Sequence, residues 1–138
     1  MDKVTKLAVT AEQAGITIDY FPFEQLPAMS VYHDGRCSVA VNSRLSQTVP
    51  ETVVDLAHEL GHCMTYSFYN FETPLRTRSR CENRANRWAV HKLMPWKRVV
   101  RALYKGLTEV WELADYFDVT EDFVHLAISQ YRREGKLA

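Results

Sequence analysis

The chain has 138 residues, of which 46% are hydrophobic and 25% are charged, and its formal net charge at pH 7 is zero. These values are typical of a globular protein, and they exclude a disordered chain and a protein of strongly basic composition. No stretch approaches the roughly 20 apolar residues of a membrane span, and no apolar run follows the N-terminus. We therefore expect a single domain over residues 1–138, located in the cytoplasm.

The first 47 residues predict one helix and a small sheet. Apolar residues recur at helical spacing from Asp2 to Ala14, and Gly15 supplies a stop. Three extended segments follow, at residues 16–21, 29–33 and 36–41. The last two flank Asp34-Gly35, a dipeptide suited to a tight hairpin turn. The sequence therefore predicts a small antiparallel sheet.

The next helix is predicted from Thr48 to about Tyr69. Thr48 and Glu51 have the spacing of a capping box, and Pro50 suits a first helical turn. Apolar residues recur at intervals of four, three and four, at Val53, Ala57, Leu60 and Met64. These residues form one apolar face, which would pack the helix against the sheet or against a neighbouring helix.

A second long helix and several shorter ones complete the chain. After a polar connection from Arg76 to Arg80, a helix is predicted from Cys81 to Met94, where Pro95 stops it. Shorter helices are placed near residues 96–104, 108–116 and 120–133. The predicted class is α+β and mainly helical, with the small sheet packed on the helix that begins at Thr48. Residues 1–47 form the first helix and the sheet, residues 48–95 the two long helices, and residues 96–138 the C-terminal helices.

Cysteines and charges have an uneven distribution. Cys37, Cys63 and Cys81 are an odd number without close paired spacing, which favours free buried thiols over disulfides.

Residues 72–105 contain ten Lys or Arg against two acids, whereas residues 107–131 contain six acids and no Lys or Arg. The two stretches could pair with each other, or the basic one could face a substrate or a nucleic acid.

The motif His58-Glu59-Leu60-Gly61-His62 carries the chemistry. Its two imidazoles project from one helix face, one turn apart, so they can hold a single metal ion. Glu59, about 100° around the helix, can reach a water molecule at the metal and act as general base. Burying these groups without partners would cost a few kcal/mol each, and a metal removes that cost.

A third ligand is expected because catalytic zinc sites commonly use three protein ligands, two His and one Glu among them. Glu82 is the best candidate, since apolar residues follow it at helical spacing and place it on an inward face. These residues are Ala85, Ala89 and Leu93. An ion pair with the surrounding arginines is the alternative for Glu82. His91 and Cys81 are weaker candidates for the ligand.

The segment from Glu82 to Pro95 resembles the second signature of the ImmA/IrrE metallopeptidases, approximately E-x-E-A-N-x-F-A-x-x-L-L-M-P. The matching residues are Glu82, Ala85, Asn86, Ala89, Leu93, Met94 and Pro95. Trp88 replaces the usual Phe, and Arg84 replaces the second acid. The match supports Glu82 as a metal ligand, and looser resemblance extends over residues 16–128.

This resemblance implies a peptidase that uses Zn²⁺ or another divalent metal. Members are encoded by phages, mobile elements and bacterial chromosomes, and several cleave a helix-turn-helix repressor, so the implied role is that of an anti-repressor. His58, His62 and Glu82 would hold the metal, while Glu59 takes the proton of the attacking water and returns it to the leaving amine. We expect no direct binding to nucleic acid or membrane.

Two features bear on the substrate. The hairpin over residues 29–41 could offer an edge strand to an extended peptide. Tyr66, one turn beyond His62, is a candidate oxyanion donor, although an aromatic residue at helical spacing is more typical of a core.

Two other functions remain open. Residues 113–128 have the spacing of a helix-turn-helix and would suit a DNA-binding regulator, but Glu121 and Asp122 at the start of its second helix would repel phosphate. Alternatively, the chain binds a repressor without cutting it, and the metal only stabilises the fold.

Overall fold

A computed structural model describes residues 2–45 and 47–138. Within these ranges, six helices and three strands occur in this order: α1 (Lys3–Gln13), β1 (Thr17–Phe21), β2 (Ala28–His33), β3 (Arg36–Asn42), α2 (Val49–Thr65), α3 (Leu75–Leu93), α4 (Trp96–Tyr104), α5 (Val110–Phe117) and α6 (Glu121–Arg133). The predicted α+β class is confirmed. Among the described helices, none combines the length and hydropathy needed to cross a bilayer.

The sheet has the order β1-β3-β2 and is mixed rather than antiparallel throughout. β2 and β3 form the predicted antiparallel hairpin across Asp34-Gly35, whereas β1 pairs with β3 in parallel. The reason is burial: β3 carries Val39, Ala40 and Val41, which are all buried, so it takes the centre with a neighbour on each side. β2 is consequently an edge strand.

Helix α2 begins as its sequence predicts. The amide of Glu51 donates to Thr48 Oγ1 (3.3 Å) and the amide of Thr48 donates to Glu51 Oε1 (3.1 Å), which completes the capping box. The predicted core stripe is buried at Val53, Ala57 and Leu60, while Met64 is 38% exposed. α2 packs against the sheet on one side and α3 on another, so it holds the two halves of the core together.

Helix α3 is longer than predicted. It begins at Leu75 instead of Cys81, and the segment from Arg76 to Arg80 forms its first turns instead of a connection. Arginine is a good helix former, and Pro74 directly before the helix is compatible with its start. The alternating arginines of this segment show no apolar periodicity, so the helical pattern in the sequence began only at Cys81.

Cys37 of β3 and Cys63 of α2 form a disulfide, with their Cα atoms 5.7 Å apart. The prediction of three free thiols is therefore wrong for this pair. The two residues lie 26 positions apart, and they meet only because the hairpin packs on the end of α2. Cys81 is buried and free, as predicted, and its Sγ lies 3.7 Å from the carbonyl oxygen of Phe68.

Helices α2 and α3 approach closely at Gly61. A Cβ at this position would overlap the carbonyl oxygen of Ala85 and lie 3.0 Å from its Cα. Gly61 and Ala85 are both buried, and Ala85 belongs to the backbone of a packed helix, so neither can move aside at low cost. The close crossing brings the motif histidines of α2 to Glu82 of α3.

We expect Gly61→Ala to lower the free energy of unfolding by about 1–3 kcal/mol because it overpacks this crossing. At an exposed helix position, Gly→Ala would instead raise the free energy of unfolding by up to about 1 kcal/mol. The direction of the change therefore distinguishes a close crossing from an open one. Urea unfolding of the metal-free protein measures it. Val49→Ala in the exposed first turn of α2 is the control and should stay within about 0.5 kcal/mol of the wild type. A more stable Gly61→Ala variant would contradict the close approach.

Candidate metal centre

Three side chains from α2 and α3 converge on one point. His58 and His62 project from consecutive turns of α2, and their Nε2 atoms lie 3.2 Å apart. Glu82 faces them from α3, with Oε2 at 2.9 Å from His58 Nε2 and Oε1 at 3.3 Å from His62 Nε2. His62 is buried, and the other two are half-buried. The structure thus brings together the three residues that the sequence proposed as metal ligands.

The Nδ1 atom of each imidazole has a hydrogen-bond acceptor as its partner, and this determines the tautomer of the ring. His62 Nδ1 lies 2.6 Å from the carbonyl oxygen of Ser67, which only accepts, so this nitrogen carries the proton. His58 Nδ1 likewise donates to Oδ1 of Asn86 at 2.7 Å. In the neutral imidazoles, both Nε2 atoms therefore present lone pairs towards each other and towards the carboxylate of Glu82. A cation between these groups, either a proton or a metal ion, stabilises such an arrangement, and two His with one Glu suit a divalent metal.

The ionisation of the cluster reflects the same arrangement. Burial lowers the pKa of His58, but hydrogen bonding and charge attraction from Glu82 outweigh it, so the net shift is upward. Where the two imidazoles also carry a proton on Nε2, their hydrogen bonds to Glu82 hold the pKa of that carboxyl far below its ordinary value. Glu82 is thus a carboxylate at any pH at which the imidazoles could bind a metal.

Residues 11–129 of the chain match the IrrE N-terminal-like domain of peptidase family M78. The chain belongs to this family. Among individually curated proteins, none matches it significantly. The match includes all of α2 and α3, and it confirms the resemblance to ImmA/IrrE proteins that the segment from Glu82 to Pro95 indicated. Membership supports a metallopeptidase role in general.

Glu59 lines a cavity of about 300 Å³ beside the three convergent residues of this M78-family chain. Met29 and Ser30 of the edge strand β2 form one wall of the cavity, and Tyr69 and Glu82 line it as well. Burial raises the pKa of Glu59, although the neighbouring His58 and a hydrogen bond with Ser30 act in the opposite direction. An open cavity bordered by a carboxylate of raised basicity is suited to proton transfer.

Tyr69 is a site residue that the sequence reasoning missed. Its hydroxyl donates to Oε1 of Glu82 at 2.6 Å, and this bond raises the pKa of Tyr69 to about 12. The sequence placed Tyr69 at the end of the predicted helix, but α2 ends at Thr65 and Tyr69 lies in the non-helical segment that follows, so helical spacing did not give its direction. Tyr66, the oxyanion donor suggested by the sequence, is the C-cap of α2 in a left-handed conformation. It is 72% exposed and does not line the cavity. It is therefore not a core residue either.

The remaining candidates fall outside the cluster. His91 pairs with Glu134 at 2.8 Å, and the Sγ of Cys81 lies against the carbonyl of Phe68. Arg84 is exposed and lines a different groove with Arg80 and Arg87. Asn86, matched in the signature but given no role from the sequence, orients His58. Its position in the signature, one helical turn after the proposed ligand Glu82, could have indicated this role from the sequence.

Proposed function

We propose that this protein is a zinc-dependent peptidase that hydrolyses a peptide bond in a protein substrate. The observation that carries the proposal is the convergence of His58, His62 and Glu82, with two Nε2 atoms facing one carboxylate, beside Glu59 in an open cavity. Two His with a Glu from a following helix is the ligand set of gluzincin-like peptidases, and zinc is the metal that such sites commonly hold.

The residues divide the reaction between them. A divalent metal held by His58, His62 and Glu82 would supply a Lewis acid and favour the ionisation of water near neutral pH. Glu59 accepts the proton of the attacking water on a carboxylate oxygen and passes it to the leaving amine as the C–N bond breaks. Burial makes Glu59 a stronger base than an exposed glutamate. The Asn86 side chain and the Ser67 carbonyl keep the two imidazoles oriented.

The substrate is proposed to lie along β2 as an extended strand. β2 is an edge strand whose residues Met29 and Ser30 border the cavity that contains Glu59, so a peptide paired with it would pass the reacting groups. Hydrogen exchange tests this: an uncleaved peptide should slow exchange at β2 amides. β1, the opposite edge of the same sheet, is the control and should be unaffected. Equal protection of both edges would contradict this placement.

A helix-turn-helix repressor is the proposed substrate, which would make the protein an anti-repressor of a phage or mobile element. The support is family membership together with the resemblance of the signature from Glu82 to Pro95. DNA binding by the α5–α6 pair is the weaker reading, since Glu121 and Asp122 are exposed in the first turn of α6 and would repel phosphate.

The test is incubation of the zinc-loaded protein with a repressor encoded beside its gene. We expect discrete fragments by mass spectrometry, abolished by a chelator and restored by added zinc. An unrelated unfolded protein at the same concentration controls for general proteolysis. Tight binding of the repressor without fragments would favour the non-catalytic alternative, in which the metal only stabilises the fold.

Tyr69→Phe is expected to weaken metal binding about tenfold, because the hydroxyl that orients Glu82 is lost. Competition with a chromophoric chelator measures the affinity. Tyr66→Phe, three residues earlier and outside the cavity, is a matched control and should bind metal as the wild type does. Equal affinity of the two variants would show that Tyr69 does not position Glu82, and a fall in kcat alone would place its action on the substrate.

A further inference from the structure

A second cavity, of about 400 Å³, lies away from the candidate metal centre between α1, the end of α3 and α4. Four of its lining residues are cationic, and they come from all three helices: Lys3, Lys6, Lys92 and Arg98. Leu7 and Leu93 supply apolar wall between them. The cavity thus combines concentrated positive charge with an apolar surface.

The four cations have no carboxylate partner within the described part of the chain. All ion pairs there involve histidine, and none includes Lys3, Lys6, Lys92 or Arg98. Lys3 Nζ donates instead to the carbonyl oxygen of Leu93 at 3.3 Å and lies 5.5 Å from the ring centroid of Phe117. The guanidinium of Arg98 lies over the same ring at 5.2 Å. Two cations therefore lie close to one aromatic ring, and neither forms a salt bridge with a carboxylate.

The ionisation of Lys3 agrees with this crowding. Burial, followed by the positive charge of Arg98, lowers the pKa of Lys3 to about 8, and Lys6 acts in the same direction. Asp118 opposes the shift but does not overcome it. An anion placed among these groups would relieve their repulsion and favour the charged form of Lys3.

We propose that this cavity binds the phosphate group of a small organic ligand. Phosphate oxygens can accept hydrogen bonds from several cations at once, and the cavity volume lies in the range of small-molecule sites. Leu7 and Leu93 would contact the organic part of the ligand. A nucleic-acid backbone carries the same group, but charges grouped around a concavity, with an ammonium half-buried, suit a compact ligand better than a long rigid polyanion.

Calorimetric titration of the full chain with inorganic phosphate and with phenyl phosphate, at constant ionic strength, tests the proposal. We expect saturable one-to-one binding of both, with phenyl phosphate the tighter, and about tenfold weaker binding in Lys3→Met. Lys6→Gln, at an exposed position, should also weaken binding and should leave folding unchanged. Lys97→Gln on the exposed side of α4 is the matched control and should bind as the wild type does.

The variants also locate the site. Phosphate bound at the metal centre would be insensitive to Lys6→Gln, so equal affinity of Lys6→Gln and Lys97→Gln would overturn the proposal. As a second readout, NMR measures the pKa of the Lys3 side chain, which should rise from about 8 when phosphate is added. An unchanged pKa would count against the site. Binding of a short DNA duplex without binding of phenyl phosphate would replace the small ligand with nucleic acid.

Discussion

Glu59→Gln is expected to lower the rate of peptide hydrolysis at least about a hundredfold while leaving the metal bound. An amide of nearly the same shape cannot accept the proton of the attacking water, and general-base catalysis of this kind contributes about 10²–10⁴-fold. Glu59 is not among the three residues whose ligand atoms converge, so metal content should stay at the wild-type level. Single-turnover cleavage, followed beside elemental analysis of the same sample, measures both properties.

Asp55→Asn provides the matched control for this variant. Asp55 lies one turn before Glu59 on α2 and accepts a hydrogen bond from Gln47 at 2.6 Å, outside the cavity. Its replacement should leave cleavage within about twofold of the wild type, since exposed or half-buried changes away from the site have small effects. Full activity in Glu59→Gln would contradict the mechanism, whereas joint loss of metal and activity would assign Glu59 a structural role.

Glu82→Gln is expected to weaken metal binding by at least about a hundredfold. Loss of a hydrogen-bond partner of a ligand already costs about 10–100-fold, and here the only carboxylate of the cluster is neutralised. The variant should also lose the stabilisation that metal confers on the folded state. At a free metal concentration about 100 times the dissociation constant, the wild type gains about 2.7 kcal/mol, and the variant should gain less than half of this.

Chelator competition and thermal unfolding with and without zinc measure the two effects. Glu72→Gln is the control, because Glu72 is the other acid of the same basic stretch and is exposed away from the cluster. It should bind zinc and respond to it as the wild type does. A Glu82→Gln protein that keeps wild-type affinity would show that Glu82 pairs with His58 and His62 without serving as a ligand.

The sequence by itself determined the parts of this protein that depend on local periodicity. A helical repeat of 3.6 residues places His58 and His62 on one face of α2 and Glu82 in line with Ala85 and Ala89 on α3, so the three residues could be proposed as one group from the sequence. The capping box at Thr48 and the turn at Asp34-Gly35 are equally local, since their hydrogen bonds and backbone angles involve a few neighbouring residues.

Only the tertiary structure decided what depends on contacts between distant segments. The parallel pairing of β1 with β3 and the Cys37–Cys63 disulfide follow from how the hairpin packs on α2, which no short spacing encodes. Tyr69 reaches Glu82 because the chain after α2 turns back over the cavity, and that direction is set by packing, not by periodicity. The need for glycine at position 61 likewise appears only in the tertiary structure, because the backbone that a Cβ would overlap belongs to α3.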